Sequence, residues 1–80
     1  MQIFRDQKYI VLVSYVNGDL LVYSLADGKK VEEKKGTPKL CVRVSNREDL
    51  MLVGNRNGLL EVYEIVYGEK DSLTLIKIAS

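Results

Sequence analysis

The sequence predicts an all-β protein built from two copies of one four-stranded unit. Three observations carry this. Apolar residues gather in short runs rich in β-branched and aromatic types, separated by Gly-containing turns. The chain matches itself at a shift of 40 residues. No segment sustains a helical period bounded by caps, so no helix is expected.

The self-match falls on turn residues and alternating apolar residues, which a shared backbone would keep. Leu12-Val13 falls on Leu52-Val53, and Asn17-Gly18 on Asn57-Gly58. Leu20 falls on Leu60, Val22-Tyr23 on Val62-Tyr63, Gly28 on Gly68 and Lys30 on Lys70. No gap is needed. Residues 1–38 are read as the first unit and 39–80 as the second.

The first unit opens with a strand from Gln2 to Arg5. Tyr9 to Tyr15 is an almost unbroken apolar run, as a strand buried on both faces requires. Asn17-Gly18 suits a tight type I′ hairpin turn with positive φ at both positions. Leu20 to Leu25 returns, and Ala26 to Lys29 turns again. Lys30 to Lys34 is polar and charged, as an exposed edge strand should be. Gly36 to Lys39 connects the units, with Pro38 at the start of the next strand. The second unit runs through Leu40 to Val44, a turn at Asn46 to Asp49, Leu50 to Val53, Asn57-Gly58, Leu59 to Val66 and Leu73 to Ile78. Tyr67 to Ser72 is longer than its counterpart. Leu73 to Ile78 is far more apolar than Lys30 to Lys34, so the two outer strands are expected to meet different surroundings.

Composition narrows the function. The 80 residues are 46% hydrophobic with a net charge of +1. That balance gives no long-range attraction to nucleic acid or anionic membrane. Cys41 is the single cysteine and forms no internal disulfide, and the start lacks the order of a signal peptide. A cytoplasmic location is expected. The longest apolar run is far too short for a membrane helix, which needs about 20 residues. No histidine occurs, which removes His-based nucleophile systems and general bases.

Four strands in about 40–45 residues, repeated, is a pattern of propeller blades. Asn17-Gly18-Asp19-Leu20-Leu21-Val22-Tyr23 and Asn57-Gly58-Leu59-Leu60-Glu61-Val62-Tyr63 carry a resemblance to WD40-like β-propellers across nearly the whole chain. Tyrosine stands where that family has tryptophan, and its Gly-His pair is missing. Gly18 to Lys29 also resembles quinoprotein-like and other divergent propellers. The resemblance implies two four-stranded antiparallel blades. Two blades cannot close a ring, since propellers use about four to eight. The ring is then completed by oligomerisation or by a partner. Three chains would give six blades and four chains eight, and Met1 stands where the first blade begins, which favours a homo-oligomer. A hetero-complex and a piece of a longer protein are the other readings. A self-contained two-sheet sandwich or closed barrel is the alternative fold.

No residue is singled out as catalytic, cofactor-binding or metal-binding, and the expectation is a non-catalytic protein-interaction or scaffold module without a cofactor. Its candidate partner-binding loops are the hairpin tips, with Tyr15, Asn17, Asp19, Asn55, Arg56 and Asn57. Tyr23 and Tyr63 occupy the core aromatic position of the repeat, whereas Tyr15 and Tyr67 sit at strand ends. Cys41 is expected to be buried and structural. The lysines at 29–30 and 34–35 flank Glu32-Glu33 and read as a solvated, charge-balanced edge. The alternative function is a small β-barrel binding nucleic acid through Arg43, Arg47, Arg56 and the lysines. A third is an enzyme whose site forms only between chains. The scattered carboxylates Asp19, Asp27, Glu48, Asp49, Glu61, Glu64 and Asp71 imply no acid–base pair.

Overall fold

A computed structural model describes residues 1–36, 38–69 and 72–79. The connector residue Thr37, the matched Lys70 and the carboxylate of Asp71 lie outside the described residues. Eight strands follow one another: β1 (Gln2–Phe4), β2 (Tyr9–Val13), β3 (Leu20–Ser24), β4 (Lys30–Lys34), β5 (Lys39–Val44), β6 (Leu50–Asn55), β7 (Leu60–Tyr67) and β8 (Leu73–Ala79). They form two antiparallel four-stranded meanders, in the orders β1-β2-β3-β4 and β5-β6-β7-β8. Among the described residues there is no helix. Among the described residues no strand pairing joins the two sheets, so the closed-barrel alternative is not formed.

The sheets pack face to face in the same order. β1 and β2 lie against β5, and β4 lies against β8. The connector after β4 therefore crosses from the far edge of the first sheet to the edge of the second that lies beside β1. Strand alternation supplies the inner faces. Phe4, Tyr9, Val11, Leu20 and Val22 face inward from the first sheet, and Met51, Val53, Tyr63, Ile65 and Leu75 from the second. Burying each large aliphatic chain contributes roughly 1.5–3 kcal/mol. Hydrogen bonds also join strands of the two sheets: Val44 N donates to Gln2 Oε1 at 2.7 Å and Leu75 N to Glu32 Oε2 at 2.8 Å. Glu32 thus gives the polar strand β4 a direct hold on β8. The two outer strands pack against each other rather than meeting different surroundings, and β4 is half-buried over most of its length while β8 is largely exposed beyond Leu75, the reverse of the expectation.

The hairpins differ from expectation. Asn17 does not adopt positive φ; only Gly18 does, at 80°. The turn is therefore not type I′. Ser14 N donates to Asp19 O at 2.8 Å and closes a loop over residues 15–18. In the second unit Asn55 N donates to Leu59 O at 2.9 Å, closing a shorter loop over residues 56–58 with Gly58 at φ 82°. Both glycines end their loops in the left-handed region that L side chains avoid. The one-residue difference shifts β6 against β7. Val11 pairs with Val22, but Leu52 pairs with Val62. Since Val22 falls on Val62, the structural counterpart of Val11 is Leu52, and the gapless match of Leu12 to Leu52 is corrected by one residue in this strand. Gly28 and Gly68 also part company: only Gly28 takes positive φ, because β7 runs on to Tyr67 before turning.

Candidate interaction surface

The hairpin tips come together at one end of the molecule. Backbone bonds from the inter-unit connector lace them: Lys39 N donates to Ser14 O at 3.3 Å and Arg56 N to Pro38 O at 2.9 Å. The Arg56 guanidinium lies 5.7 Å from the centroid of the Tyr15 ring, within cation–π range. Tyr15 is 61% exposed and Val16 76%. Tyr15, Arg56, Asn57 and the neighbouring Val16 and Leu59 form a mixed aromatic, cationic and apolar tip surface. Asn17 is exposed, its N–H donating to Ser14 Oγ, and Asp19 is half-buried behind it.

Asn55 has a different place. It is buried, and its Oδ1 accepts from Asn57 N at 3.0 Å and Leu59 N at 3.1 Å, shaping the turn. Its Nδ2 donates to Glu61 Oε2 at 3.0 Å. Tyr63 OH donates to Glu61 Oε1 at 2.9 Å, and Lys77 Nζ stands 3.8 Å from the same oxygen. Burial alone pushes the Glu61 carboxyl up. The two hydrogen bonds, with the charges of Lys39 and Lys77, outweigh it and hold it below the ordinary range. Burial and the Glu61 carboxylate push the Tyr63 phenol up to about 12.

Lys39 is the residue the sequence concealed. It is 1% exposed, and its Nζ donates to Gly18 O at 2.7 Å, tying the base of the first tip to the second sheet. Alternation along β5 suggests Leu40 inside and Lys39 outside. A register shift between Lys39 and Cys41 reverses this, leaving Leu40 52% exposed. A bulge of this kind leaves no clear mark in residue types. Cys41 corrects another expectation. It is exposed on the outer face of the second sheet, opposite Gly54, where any Cβ would meet its sulfur at 2.9 Å.

The other end carries a second cluster. The Arg5 guanidinium lies 4.2 Å from the Tyr67 ring centroid, and Arg5 N is hydrogen-bonded to Glu48 Oε2. Tyr67 OH donates to Glu48 O at 2.6 Å. Tyr67 is half-buried, with its ring 6.0 Å from that of Tyr9. Burial pushes its phenol up to about 12 against the opposing pull of Arg5. An open pocket nearby is lined by Gln7, Lys8, Ser24, Leu25 and Ala26 and presents no pair of groups set for acid–base work.

The arginines of the nucleic-acid reading do not converge. Arg43 is on the outer face of β5, while Arg47 and Arg56 lie in turns at opposite ends of β6. Two lysines of the strip share one carboxylate: Lys30 Nζ is 2.7 Å from Glu33 Oε1, and Lys35 Nζ 3.8 Å from Glu33 Oε2. The hydrogen bond from Lys30 lowers the Glu33 carboxyl and raises the Lys30 amine. Among the described residues, no three Cys, Asp or Glu side chains gather as a cation site, and no helix is long and apolar enough to cross a membrane.

The most distinctive surface is the pair of outer sheet faces. On the first sheet Ile3, Ile10, Leu12, Leu21 and Tyr23 point away from the core and are half-buried or exposed. On the second, Leu52, Leu60, Val62 and Ile76 do the same. Arg43 and Glu64 share the outer face of the second sheet with these apolar side chains. No family model, curated protein or solved structure matches the chain.

Proposed function

We propose that the chain is a non-catalytic protein-interaction module. In this reading its two sheets are propeller blades that assemble with copies of themselves or complete a partner's ring, and the hairpin tips offer a further binding surface. The observation that carries it is the pair of uncovered apolar outer faces. Two further features support blades over a sandwich. The sheets stack in the same strand order, β1 beside β5 and β4 beside β8. The connector returns from the outer edge of one sheet to the opposite edge of the next, as successive blades require. Blades bury both faces against neighbours, and a two-blade unit leaves one face open at each end.

Cys41 supplies the test. It lies on the outer face of the second sheet and is the only cysteine. Its rate of reaction with a thiol reagent, measured as chain concentration rises, is expected to fall as association covers that face. A gel shift with labelled single-stranded RNA and DNA at low salt is expected to show no complex. A constant thiol rate together with a salt-sensitive shift would overturn the proposal in favour of nucleic-acid binding.

A further inference from the structure

The two sheets are joined by unlike faces, and this has a geometric consequence. The strand pairings make the correspondence explicit. The pair Val11–Val22 corresponds to Leu52–Val62, and Val13–Leu20 to Gly54–Leu60. Ile10–Tyr23 corresponds to Met51–Tyr63, and Leu12–Leu21 to Val53–Glu61. Both units also carry a register shift at the same place, between Val22 and Tyr23 and between Val62 and Tyr63.

Each corresponding pair has opposite fates. Val11, Leu20 and Val22 lie inside, at 0% exposure, while Leu52 and Val62 are only half-buried and Leu60 is 53% exposed on the outside. Conversely Met51, Val53 and Tyr63 lie inside, and their counterparts Ile10, Leu12 and Tyr23 face outward. The internal junction therefore joins one type of face on the first unit to the other type on the second. Such a heterologous contact does not satisfy itself. It leaves open, at the two ends of the chain's own stack, one face of each type.

We infer that the occupant of these faces is a second copy of this chain, docked head to tail, with the outer face of the second sheet on the outer face of the first sheet of the next copy. This rests on the interaction-module reading and names its partner and polarity. The junction between copies repeats the one inside each chain: Leu52, Leu60 and Val62 take the places of Val11, Leu20 and Val22. They meet Ile3, Ile10, Leu12 and Tyr23, which take the places of Val44, Met51, Val53 and Tyr63. Polar positions also match. Arg43 stands where Gln2 stands, and Glu64 where Ser24 stands. Repeated head-to-tail contacts close into a ring when the rotation per unit permits.

Two single-face variants test the polarity. Ile3→Lys places a charge on the outer face of the first sheet, and Leu60→Lys on that of the second. Both side chains are more than half exposed in the single chain, so each variant is expected to keep its fold, checked by circular dichroism and urea unfolding. If either variant unfolds, Ile76→Lys replaces Leu60→Lys and Tyr23→Lys replaces Ile3→Lys. The expected result is that each variant alone is a monomer and that mixing them gives a dimer containing one of each. Dimers formed by a single variant alone, with no gain on mixing, would show like-face pairing and overturn the head-to-tail inference while sparing the interaction module. A wild-type chain that never self-associates would overturn the second-copy inference at its root.

Discussion

Lys39 and Glu61 are both charged and both withdrawn from water beneath the hairpin tips. A buried charge without partners costs several kcal/mol, so their hydrogen bonds are conditions of the fold. Lys39→Met keeps the length of the chain but removes the donor to Gly18 O. It is expected to lower stability by about 1–3 kcal/mol, read from the urea midpoint. Glu61 gives a pH signature. Its carboxyl is held below the ordinary range in the fold. The ionised form is thus favoured by folding, and its contribution is present above the unfolded value of about 4.3 and is lost as pH falls below it. The stability difference between the wild type and Glu61→Gln is therefore expected to shrink on acidification from neutral pH. A difference that stays constant would show that the Glu61 charge is not what the network recognises. Tyr63 and Tyr67, both pushed up to about 12, behave in the opposite sense. Their neutral forms are favoured, and that stability is lost as pH rises from about 10 to about 12. Phenolate absorbance should show tyrosines titrating late in the folded chain and normally in urea.

The turns carry the structural differences among elements. Arg5, Asp6 and Gln7 all adopt positive φ, at 56°, 56° and 65°, between β1 and β2. Left-handed backbone costs roughly 1–2 kcal/mol for an ordinary L residue, and glycine escapes that cost at an entropic penalty of about 0.5–1 kcal/mol. Gln7→Gly is therefore expected to raise the urea midpoint, and Gly58→Ala, at φ 82°, to lower it, with a stability loss of about 1 kcal/mol. A Gln7→Gly chain of reduced stability would show that the side chain contributes more than the strain it imposes. Most strands could be read from residue type: β4 is found at Lys30–Lys34 as expected, and the other elements within a residue or two. The loop lengths could not. Asn17-Gly18 and Asn57-Gly58 are identical dipeptides, yet one ends a loop over 15–18 and the other a loop over 56–58. The choice is set by which face of β6 must be buried, and that is a tertiary matter. The same limit hid Lys39, since a single bulge after it reverses inside and outside at the start of β5. Cys41 was misplaced for another reason: its residue type favours burial, but alternation puts it on the outer face with Arg43.

At the scale of the whole molecule, the duplication was legible because repeated apolar positions survive in the sequence. Its polarity was not, because which face of each unit is buried is decided by how the two sheets stack. That stacking, with unlike faces at the internal junction, leaves the chain two unlike open faces. The tip residues show the reverse case: Tyr15 and Arg56 stand at a shared end, but only the folded connector brings them within 5.7 Å. On the head-to-tail inference, further copies of this chain cover these open faces. Absolute mass in solution, by size-exclusion chromatography with light scattering over a concentration series, tests it most directly. For a chain of 9.1 kDa, the expected result is a discrete multiple of that mass, with a trimer or tetramer matching rings of six or eight blades. A well-folded monomer at every concentration would contradict it.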